Sequence, residues 1–560
     1  MPSPADDDDL PVAEPVPAPG PDRPADDDLP VATPVAAPVT PPRPGPRGLR
    51  REAIPARPAF REQSGPAGQD PPRPRALSAC CVIGCFGVAA LAAAGVVAFA
   101  AVVLVSHLGQ EIGPRSSDRN EPGKTSRARP GPITPTKLTQ ETAALDLSGD
   151  CYAVSRGANG RFLLLGVKSR QSVRTSIAVF DPNEAKIVQI IDTGSEPALF
   201  AAGMAKLFVH RQNQFERYDL TTGQREKVAA FPFTPTALVV GPGSDGPVLV
   251  ISTQLGPPVA LPFDPEELAP PSRGAAGPVL GGLGGLGPRP AIRVSADGRL
   301  VGFGSTTGTG GAVVPFDQGL AGKSVPIGPD DLGGHVAPSP DGRFVYTNRG
   351  VFRSDGQSVI GLAKNEKFFY TLPTAHGSDL FVSLEIGPAA GTTRGKVRLH
   401  LAGDREPMDE WDVLAPTGLG ANDSAENIPA DLRVHVWPAA GLAAVLPNTP
   451  PTQLKLYKVD VPGMLRDSGR PYLLFGSDPP TTAVRGQTFS YTPEVWSSTT
   501  PPPQVEFVSG AQGMKMQGRQ LVWDVPTNFE PGEVEVHLQT SDPKTGKTAD
   551  QKFRVVVLDP

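Results

Sequence analysis

A stretch of 30 residues without a charged side chain constrains this sequence more than any other feature. Residues 76–105 contain no Asp, Glu, Lys or Arg, and a helix needs about 20 apolar residues to cross a bilayer. A soluble helix of this length would carry a polar face unless it were deeply buried. A signal peptide fits poorly, because 75 residues of mostly polar character come first and the apolar run is too long. The sequence therefore predicts one transmembrane helix, assigned to residues 76–107.

Basic residues on the two flanks predict the direction of this helix. Eight arginines lie between positions 43 and 75, against five basic residues between positions 106 and 135. Basic residues are retained on the cytoplasmic side of a membrane. We therefore expect a single-pass protein of the cell membrane, with its N-terminus in the cytoplasm and its C-terminal domains outside the cytoplasmic membrane.

The tail before the helix, residues 1–75, has the composition of a disordered segment. Its block Pro-Ala-Asp-Asp-Asp-Asp-Leu-Pro-Val-Ala begins at Pro4 and returns in nearly the same form at Pro24. The tail is rich in Pro, Asp and Arg and almost lacks aromatic residues, so it cannot bury enough surface to offset its chain entropy. Residues 108–144, rich in Pro, Gly and Arg, are interpreted in the same way as a disordered linker.

Short strands dominate the pattern of residues 145–466. Runs rich in Val, Leu, Phe and Tyr alternate with Gly, Pro, Asp and Asn turns, which is typical of an all-β domain. The chain holds 67 prolines and 62 glycines, about twice the usual share. Cys151 is the only cysteine after the predicted helix, so no internal disulfide can form there and buried cores must stabilise the domain.

Two local signals return along this region. The first is a tight turn that opens a strand, at Gly157-Ala158-Asn159-Gly160-Arg161, Ser295-Ala296-Asp297-Gly298-Arg299 and Ser339-Pro340-Asp341-Gly342-Arg343. Asn-Gly and Asp-Gly tolerate the positive φ of such turns. The second signal is an apolar residue followed by Asp at the end of a strand, at Asp181, Asp219, Asp264, Asp317 and Asp460.

Together these signals resemble the blades of WD-repeat and YVTN-type β-propellers. His335 resembles the Gly-His step that precedes a strand in such blades. At about 40 to 45 residues per blade, the resemblance implies about seven blades over residues 145–466, with six or eight left open. The blades are expected at residues 150–192, 197–231, 234–274, 290–327, 334–363, 367–415 and 430–465. Radial closure would protect the sheet edges without disulfides.

A separate module is predicted for residues 467–560. Apolar and polar residues alternate in several runs, which indicates a β-sandwich. The module resembles the Ig-like and cadherin-like domains of bacterial surface proteins, in residues 486–491, 513–514, 521–523 and 553–557. It lacks the acidic motifs with which cadherins bind calcium, and Trp523 is expected in its core. The predicted fold class is thus all-β, a propeller of about seven blades plus an Ig-like sandwich, with one N-terminal transmembrane helix and a disordered tail.

No catalytic or metal motif stands out. The chain lacks Gly-x-Ser-x-Gly, His-Glu-x-x-His and a cysteine pair for zinc, so we expect no enzyme, no cofactor and no metal. Three of the seven histidines, His335, His376 and His435, fall in different predicted blades. Propellers place ligands and some active sites in a central channel, so these three are channel candidates. The alternative is that they are scattered turn or surface residues.

The sequence therefore predicts a membrane-anchored binding or scaffold protein that presents a propeller and an Ig-like domain to a protein or glycan ligand. A net charge of −6 gives no indication of a nucleic-acid partner. Two alternatives remain open. One is a propeller enzyme, a hydrolase or lyase, with converging His, Arg and carboxylate groups in the channel. The other is a signalling protein that recruits a cytoplasmic partner through its tail.

Overall fold

The computed structural model describes residues 129–560, apart from residues 232–233, 253–258, 271–290, 305–309, 318–319, 329–333, 362–368, 378, 387–393, 415–427 and 448–450. The predicted tail, the predicted membrane span and most of the predicted linker lie outside the described residues. Within the described ranges, no helix has the length and apolar character needed to cross a membrane.

Seven antiparallel sheets follow one another between residues 142 and 458 of the described chain. Sheet 1 contains β2 (Gly149–Gly157), β3 (Phe162–Ser169), β4 (Thr175–Asp181) and β5 (Lys186–Gly194). Sheet 2 contains β6 (Leu199–Ala202), β7 (Lys206–Arg211), β8 (Gln214–Asp219) and β9 (Arg225–Ala230). Sheet 3 contains β10 (Ala237–Val239), β11 (Val248–Ser252) and β12 (Val259–Phe263).

The remaining sheets repeat this order. Sheet 4 contains β13 (Ala291–Val294), β14 (Leu300–Gly304), β15 (Gly311–Asp317), β16 (Leu320–Ala321) and β17 (Val325–Ile327). Sheet 5 contains β18 (Val336–Pro338), β19 (Phe344–Thr347), β20 (Gly350–Arg353) and β21 (Ser358–Gly361). Sheet 6 contains β22 (Phe369–Pro373), β23 (Leu380–Ile386), β24 (Arg394–Leu401) and β25 (Asp409–Leu414). Sheet 7 contains β26 (Val434–Trp437), β27 (Leu442–Val445) and β28 (Gln453–Lys458), and β1 (Thr142–Asp146) is its fourth strand.

The pairing of β1 with β28 joins the two ends of this series. Leu145 lies opposite Leu454 in an antiparallel register, so the strand that precedes sheet 1 completes sheet 7. Each pair of neighbouring sheets shares one apolar core, and sheets 7 and 1 share one as well. In that last core, the rings of Phe180 and Trp437 lie 5.9 Å apart. Radial repetition of meandering sheets around a closed circle is a β-propeller, so the predicted propeller is confirmed.

Part of the predicted linker belongs to this fold, which corrects the assignment of residues 108–144. Residues 142–146 form β1, and Ile133 is 3% exposed in the core between sheets 7 and 1. The backbone N–H of Thr136 donates to the carbonyl of Ala440 at 2.9 Å. The local sequence gave no strand signal, because β1 is short and its pairing partner lies about 300 residues further along the chain.

The Ser-x-Asp-Gly-Arg turns hold the geometry that their residue types predict. Ser295 Oγ donates to Asp297 Oδ1 at 2.6 Å, and Ser339 Oγ donates to Asp341 Oδ1 at 2.8 Å. Each serine oxygen also accepts the backbone N–H of the residue that opens the next strand, at 3.0 Å in both turns. Both serine residues are fully buried, so the motif ties the first strand of its sheet to the second.

The apolar-Asp signal marks turns as expected in sheets 1, 2 and 3. Asp181, Asp219 and Asp264 each accept the backbone N–H two residues further on, at 3.0, 3.0 and 2.7 Å. Asp460 differs, because it accepts the N–H of Gly463 at 3.0 Å and caps α1 (Val461–Asp467), the helix after the propeller. Two short 3-10 helices flank β26, at Ala430–Leu432 and Pro438–Ala440.

Residues 473–558 form a two-sheet sandwich. Its strands are β29 (Leu473–Phe475), β30 (Thr482–Val484), β31 (Thr488–Tyr491), β32 (Val495–Ser497), β33 (Val505–Ser509), β34 (Lys515–Gln517), β35 (Gln520–Asp524), β36 (Gly532–Asp542) and β37 (Lys547–Leu558). One sheet has the order β30-β37-β36-β33 and the other the order β31-β35-β34, while β29 pairs with β32. Both larger sheets contribute to one core, in which Trp523 is fully buried as predicted.

The turns between the first and second strands of sheets 1 to 6, together with the end of β26 in sheet 7, are linked around the circle. At least one hydrogen bond joins each neighbouring pair of sheets. In chain order these are Ala158 N–H to Gly203 O, Met204 N–H to Ser244 O, Gly243 N–H to Ala296 O, Ala296 N–H to Pro340 O, Arg343 Nη2 to Asp379 Oδ1, Ala375 N–H to Val436 O and Trp437 Nε1 to Gly160 O. These bonds fix the turns of one face of the propeller relative to each other.

Substitution of Gly160 tests how closely the turns of sheets 1 and 6 approach each other inside this ring. The φ of Gly160 is +85°, and an added Cβ would lie 2.1 Å from the carbonyl oxygen of Ala375. Gly403 has the same φ of +85° with no atom within 4 Å of an added Cβ. Gly403→Ala should therefore lower the free energy of unfolding by about 1–2 kcal/mol through backbone strain alone. Gly160→Ala should lower it by about 3 kcal/mol or more, because a backbone collision adds to the strain.

Urea unfolding of the two variants measures the difference directly. Equal losses of stability in Gly160→Ala and Gly403→Ala would show that the contact between the turns of sheets 1 and 6 is not tight.

Candidate functional site

A bidentate ion pair joins sheet 4 to the segment before sheet 7. Arg293, on β13, donates from Nε to Asp431 Oδ2 at 2.5 Å and from Nη2 to Asp431 Oδ1 at 2.9 Å. The carboxylate side chain is 5% exposed and the guanidinium side chain 16%. Sheets 4 and 7 are not neighbours in the ring, so this pair crosses the centre of the propeller.

Arg156, on the first strand of sheet 1, lies beside this pair. Its Nη1 donates to the carbonyl oxygen of Thr374 at 3.3 Å. Burial lowers the pKa of Arg156 to about 10, while Asp431 raises it and Arg293 lowers it further. The guanidinium therefore stays charged at neutral pH, and the side chain is only partly buried. Two guanidinium groups thus share the centre with one carboxylate.

The predicted channel histidines His335 and His435 belong to the same centre. His335 Nε2 lies 2.8 Å from the carbonyl oxygen of Thr371, and His435 Nε2 lies 2.9 Å from that of Leu432. A carbonyl oxygen only accepts, so Nε2 carries the proton in both rings. Burial lowers the pKa of both imidazoles, that of His435 to about 3, and both rings feel the charge of Asp431. Both histidines are therefore neutral at physiological pH.

His376 lies elsewhere, at the contact between the propeller and the sandwich. Its Nε2 is 2.8 Å from Asp478 Oδ1, and its Nδ1 is 3.4 Å from the side-chain nitrogen of Asn159. Burial lowers the pKa of His376, but the neighbouring Asp478 carboxylate outweighs burial and the net shift is upward. The structure thus brings His335 and His435 to one centre and assigns His376 to a domain contact.

Asp478, in the sandwich segment, makes polar contacts with the propeller and with the segment before β1. Besides His376, its carboxylate accepts the backbone N–H of Ile133 at 2.9 Å, and its side chain is 4% exposed. Arg129 adds an ion pair with Asp245 on the propeller and lies 3.8 Å from Glu533 on the sandwich. Tyr472 packs into the core shared by sheets 6 and 7. The two domains are therefore joined by buried polar and apolar contacts.

Sequence reasoning missed Arg156, Arg293, Asp431 and Asp478. A usable signal existed for the two arginines, because each is a charged residue on a strand, one or two positions before a recurring turn. Charged residues are rarely buried without a partner, so such a residue on an inner strand could have been examined as a candidate for the centre. No comparable local signal marks the two aspartates.

The described residues contain no group of three or more His, Cys, Asp or Glu side chains placed to hold a metal ion. Asp431 is paired with Arg293, and the imidazoles of His335 and His435 donate through Nε2 to backbone carbonyls, while their buried Nδ1 atoms have no hydrogen-bond partner among the described residues. The centre is therefore an assembly of charged and hydrogen-bonding groups.

No protein-family model matches the chain, and no curated protein matches it. Similar solved structures include the β-propeller domain of Myceliophteria thermophila Cps50 (Swd1), at 11% identity over 57% of this chain and 99% of that chain, with a TM-score of 0.36. Kuenenia stuttgartiensis hydrazine synthase is similar at 13% identity over 57% and 97% of the two chains, and a mitotic checkpoint complex at 10% over 58% and 97%, both with TM-scores of 0.36. The assignment of the propeller depends on the closed ring of sheets and cores described above.

The contact between His376 and Asp478 predicts a pH dependence of stability. The pKa of His376 is raised by folding above that of the unfolded chain, about 6.5. Its stabilising contribution is therefore fully present below about pH 6.5 and is lost as the pH rises through the folded-state pKa. The difference in thermal midpoint between the wild type and His376→Gln should be largest below about pH 6.5 and should shrink as the pH rises through the raised folded-state pKa.

Asp478→Asn is the matched control, because its side-chain oxygen still accepts the N–H of Ile133 while the charge is removed. In the Asp478→Asn background only burial acts strongly on His376, so its pKa should be lowered and its contribution to stability should no longer grow as the pH falls toward 6. A contribution of His376 that still grew toward pH 6 in that background would contradict the assignment.

Proposed function

We propose that this chain is a single-pass membrane protein that presents a seven-bladed propeller and an Ig-like sandwich outside the cytoplasmic membrane as a binding scaffold. The ligand would be a protein or a glycan. The proposal combines the uncharged segment 76–105 and its basic flanks with the domain contacts of the described residues.

Seven blades are supported by the seven sheets and the seven shared cores between residues 133 and 474. An Ig-like relationship is supported by the strand order of the sandwich. Its four-stranded sheet carries β30 parallel to β37, and its second sheet places β35 between β31 and β34. Two sheets with such an order, packed over one core, are the plan of Ig-type domains.

The contact between the propeller and the sandwich is the observation that carries the proposal. Asp478, His376 and Ile133 form a buried polar link, and Tyr472 and Leu474 extend the core of sheets 6 and 7. A partner that touches both domains would then bind loops that are already held in position. Such preorganisation removes part of the entropy cost of binding, which suits a scaffold.

The titration properties of the centre favour binding over acid–base catalysis. A general acid or base works best with a pKa near the operating pH. The pKa of His435 is lowered to about 3, that of His335 is also lowered, and that of Asp431 is held low by Arg293 despite burial. A propeller hydrolase or lyase remains the second candidate, because His, Arg and carboxylate groups do share the centre.

The topology is tested with the full chain carrying an epitope at each end. Protease added to intact spheroplasts should remove the C-terminal epitope and spare the N-terminal one, and lysis should expose both. The reverse pattern would mean an inverted topology. Alkaline carbonate should leave the full chain and a variant lacking residues 1–75 in the membrane, whereas a variant lacking residues 76–107 should be released.

The scaffold role is tested by cross-linking on intact cells with a lysine reagent that does not cross membranes. Lys137 and Lys186 are suitable reporters, because their side chains are 70% and 60% exposed. We expect cross-links from the propeller or the sandwich to another component of the cell envelope. Cross-links confined to this chain itself would contradict a scaffold function.

A further inference from the structure

We infer that the centre of the propeller is a binding site for a small ligand carrying a carboxylate or phosphate group, and that Arg156 contacts this anionic group. The site is independent of the membrane anchor and of any partner of the scaffold. It is built from Arg156, Arg293, Asp431, His335 and His435.

The charges of the centre do not balance. Asp431 already accepts two hydrogen bonds from Arg293, so one positive charge is neutralised. The two imidazoles are neutral and donate through Nε2 to backbone carbonyls. The positive charge of Arg156 therefore has no carboxylate of its own among the described residues. Burying a charge without a counterion is costly, and a bound anion would remove that cost.

Arg156 is oriented and still has donors to offer. A guanidinium carries five N–H groups. In Arg156, Nη1 donates to the carbonyl oxygen of Thr374 at 3.3 Å, and the described residues accept no other hydrogen bond from this side chain. That contact, from sheet 1 to the end of β22, holds the side chain in place. The planar fork of arginine matches the two oxygens of a carboxylate or phosphate group. A positioned guanidinium with free donors is therefore suited to an oxyanion.

The exposure of the side chains distinguishes the residue that contacts the ligand, Arg156, from the residues that surround it. Asp431, His335 and His435 are buried, whereas Arg156 and Arg293 are partly exposed. Arg293 is held by both carboxylate oxygens of Asp431. Arg156 is thus the charged group of the centre that still has unused N–H donors for a ligand. Arg293 adds positive potential beside it.

The turn that follows Arg156 limits the size of the ligand. The backbone N–H of Asn159 donates to Pro242 O in the turn of sheet 3, and the Asn159 side chain faces His376 in the turn of sheet 6. This turn therefore reaches over the centre on the face that contacts the sandwich. A chain threaded through the propeller therefore does not fit, and the ligand must be small.

The test uses the full chain in detergent, with inorganic phosphate and acetate as the two probes in isothermal titration calorimetry. At least one probe should bind saturably, and the tighter one identifies the anion class. Arg156→Gln should weaken that affinity by about tenfold or more, the size expected for a lost charge-assisted hydrogen bond. Arg170→Gln is the matched control, because it removes an arginine of sheet 1 that is 58% exposed, and its affinity should stay within about twofold of the wild type.

Arg156→Lys guards against a folding defect, since it keeps the charge and loses the fork. Its affinity should fall below that of the wild type while its thermal midpoint without ligand stays close. Two results would overturn the inference. One is that neither probe binds, and the other is that phosphate raises the thermal midpoint equally in wild type, Arg156→Gln and Arg156→Lys, as general exclusion from the protein surface would do.

Discussion

The antiparallel pairing of β1 with β28 is the contact on which the propeller depends. It brings residues 142–146 into register with residues 453–457 and completes the four-stranded sheet 7. Bringing together chain ends so far apart has an entropic cost that grows slowly with length. The apolar core between sheets 7 and 1, which includes Trp437 and Phe180, offsets that cost. Without this closure, sheet 1 would expose one apolar face and sheet 7 an unpaired edge.

Closure also decides where the charged side chains of the first strands lie. Once the sheets form a circle, their first strands surround one centre, and Arg156 and Arg293 are carried there from different sheets. Asp431 enters from the 3-10 helix before β26 and neutralises Arg293. The neutral imidazoles of His335 and His435 also lie at this centre, and each donates through Nε2 to a backbone carbonyl. The same closed geometry thus produces both a stable core and a positively charged centre.

The sandwich is held against the face that carries the linked turns. Asp478 is central to this contact, because one carboxylate serves His376 of the propeller and the backbone of Ile133 from the segment that leads into β1. The segment that leads into β1, the propeller and the sandwich therefore meet at one buried residue. Loss of the Asp478 charge would therefore weaken contacts in all three.

Local chemistry accounts for much of what the sequence predicted correctly. Ser295 with Asp297, and Ser339 with Asp341, build their turns from neighbouring atoms, and Asp219 does the same at its strand end. Such signals are readable without the fold, as is the burial of Trp523 in an alternating strand. The candidate site was only half predictable, since His335 and His435 were chosen for their place in different blades, while Asp431 gave no local signal at all.

The sequence by itself determined the all-β class, the recurring turns, the likeness to propeller blades and the expectation of an anchor, because each depends on residues close together in the chain. Tertiary structure alone decided that residues 142–146 complete the last sheet, that His376 meets Asp478 instead of the centre, and that Arg293 pairs with Asp431. These outcomes depend on contacts between residues 102 to more than 300 positions apart, and no local pattern encodes which distant partner a side chain will meet.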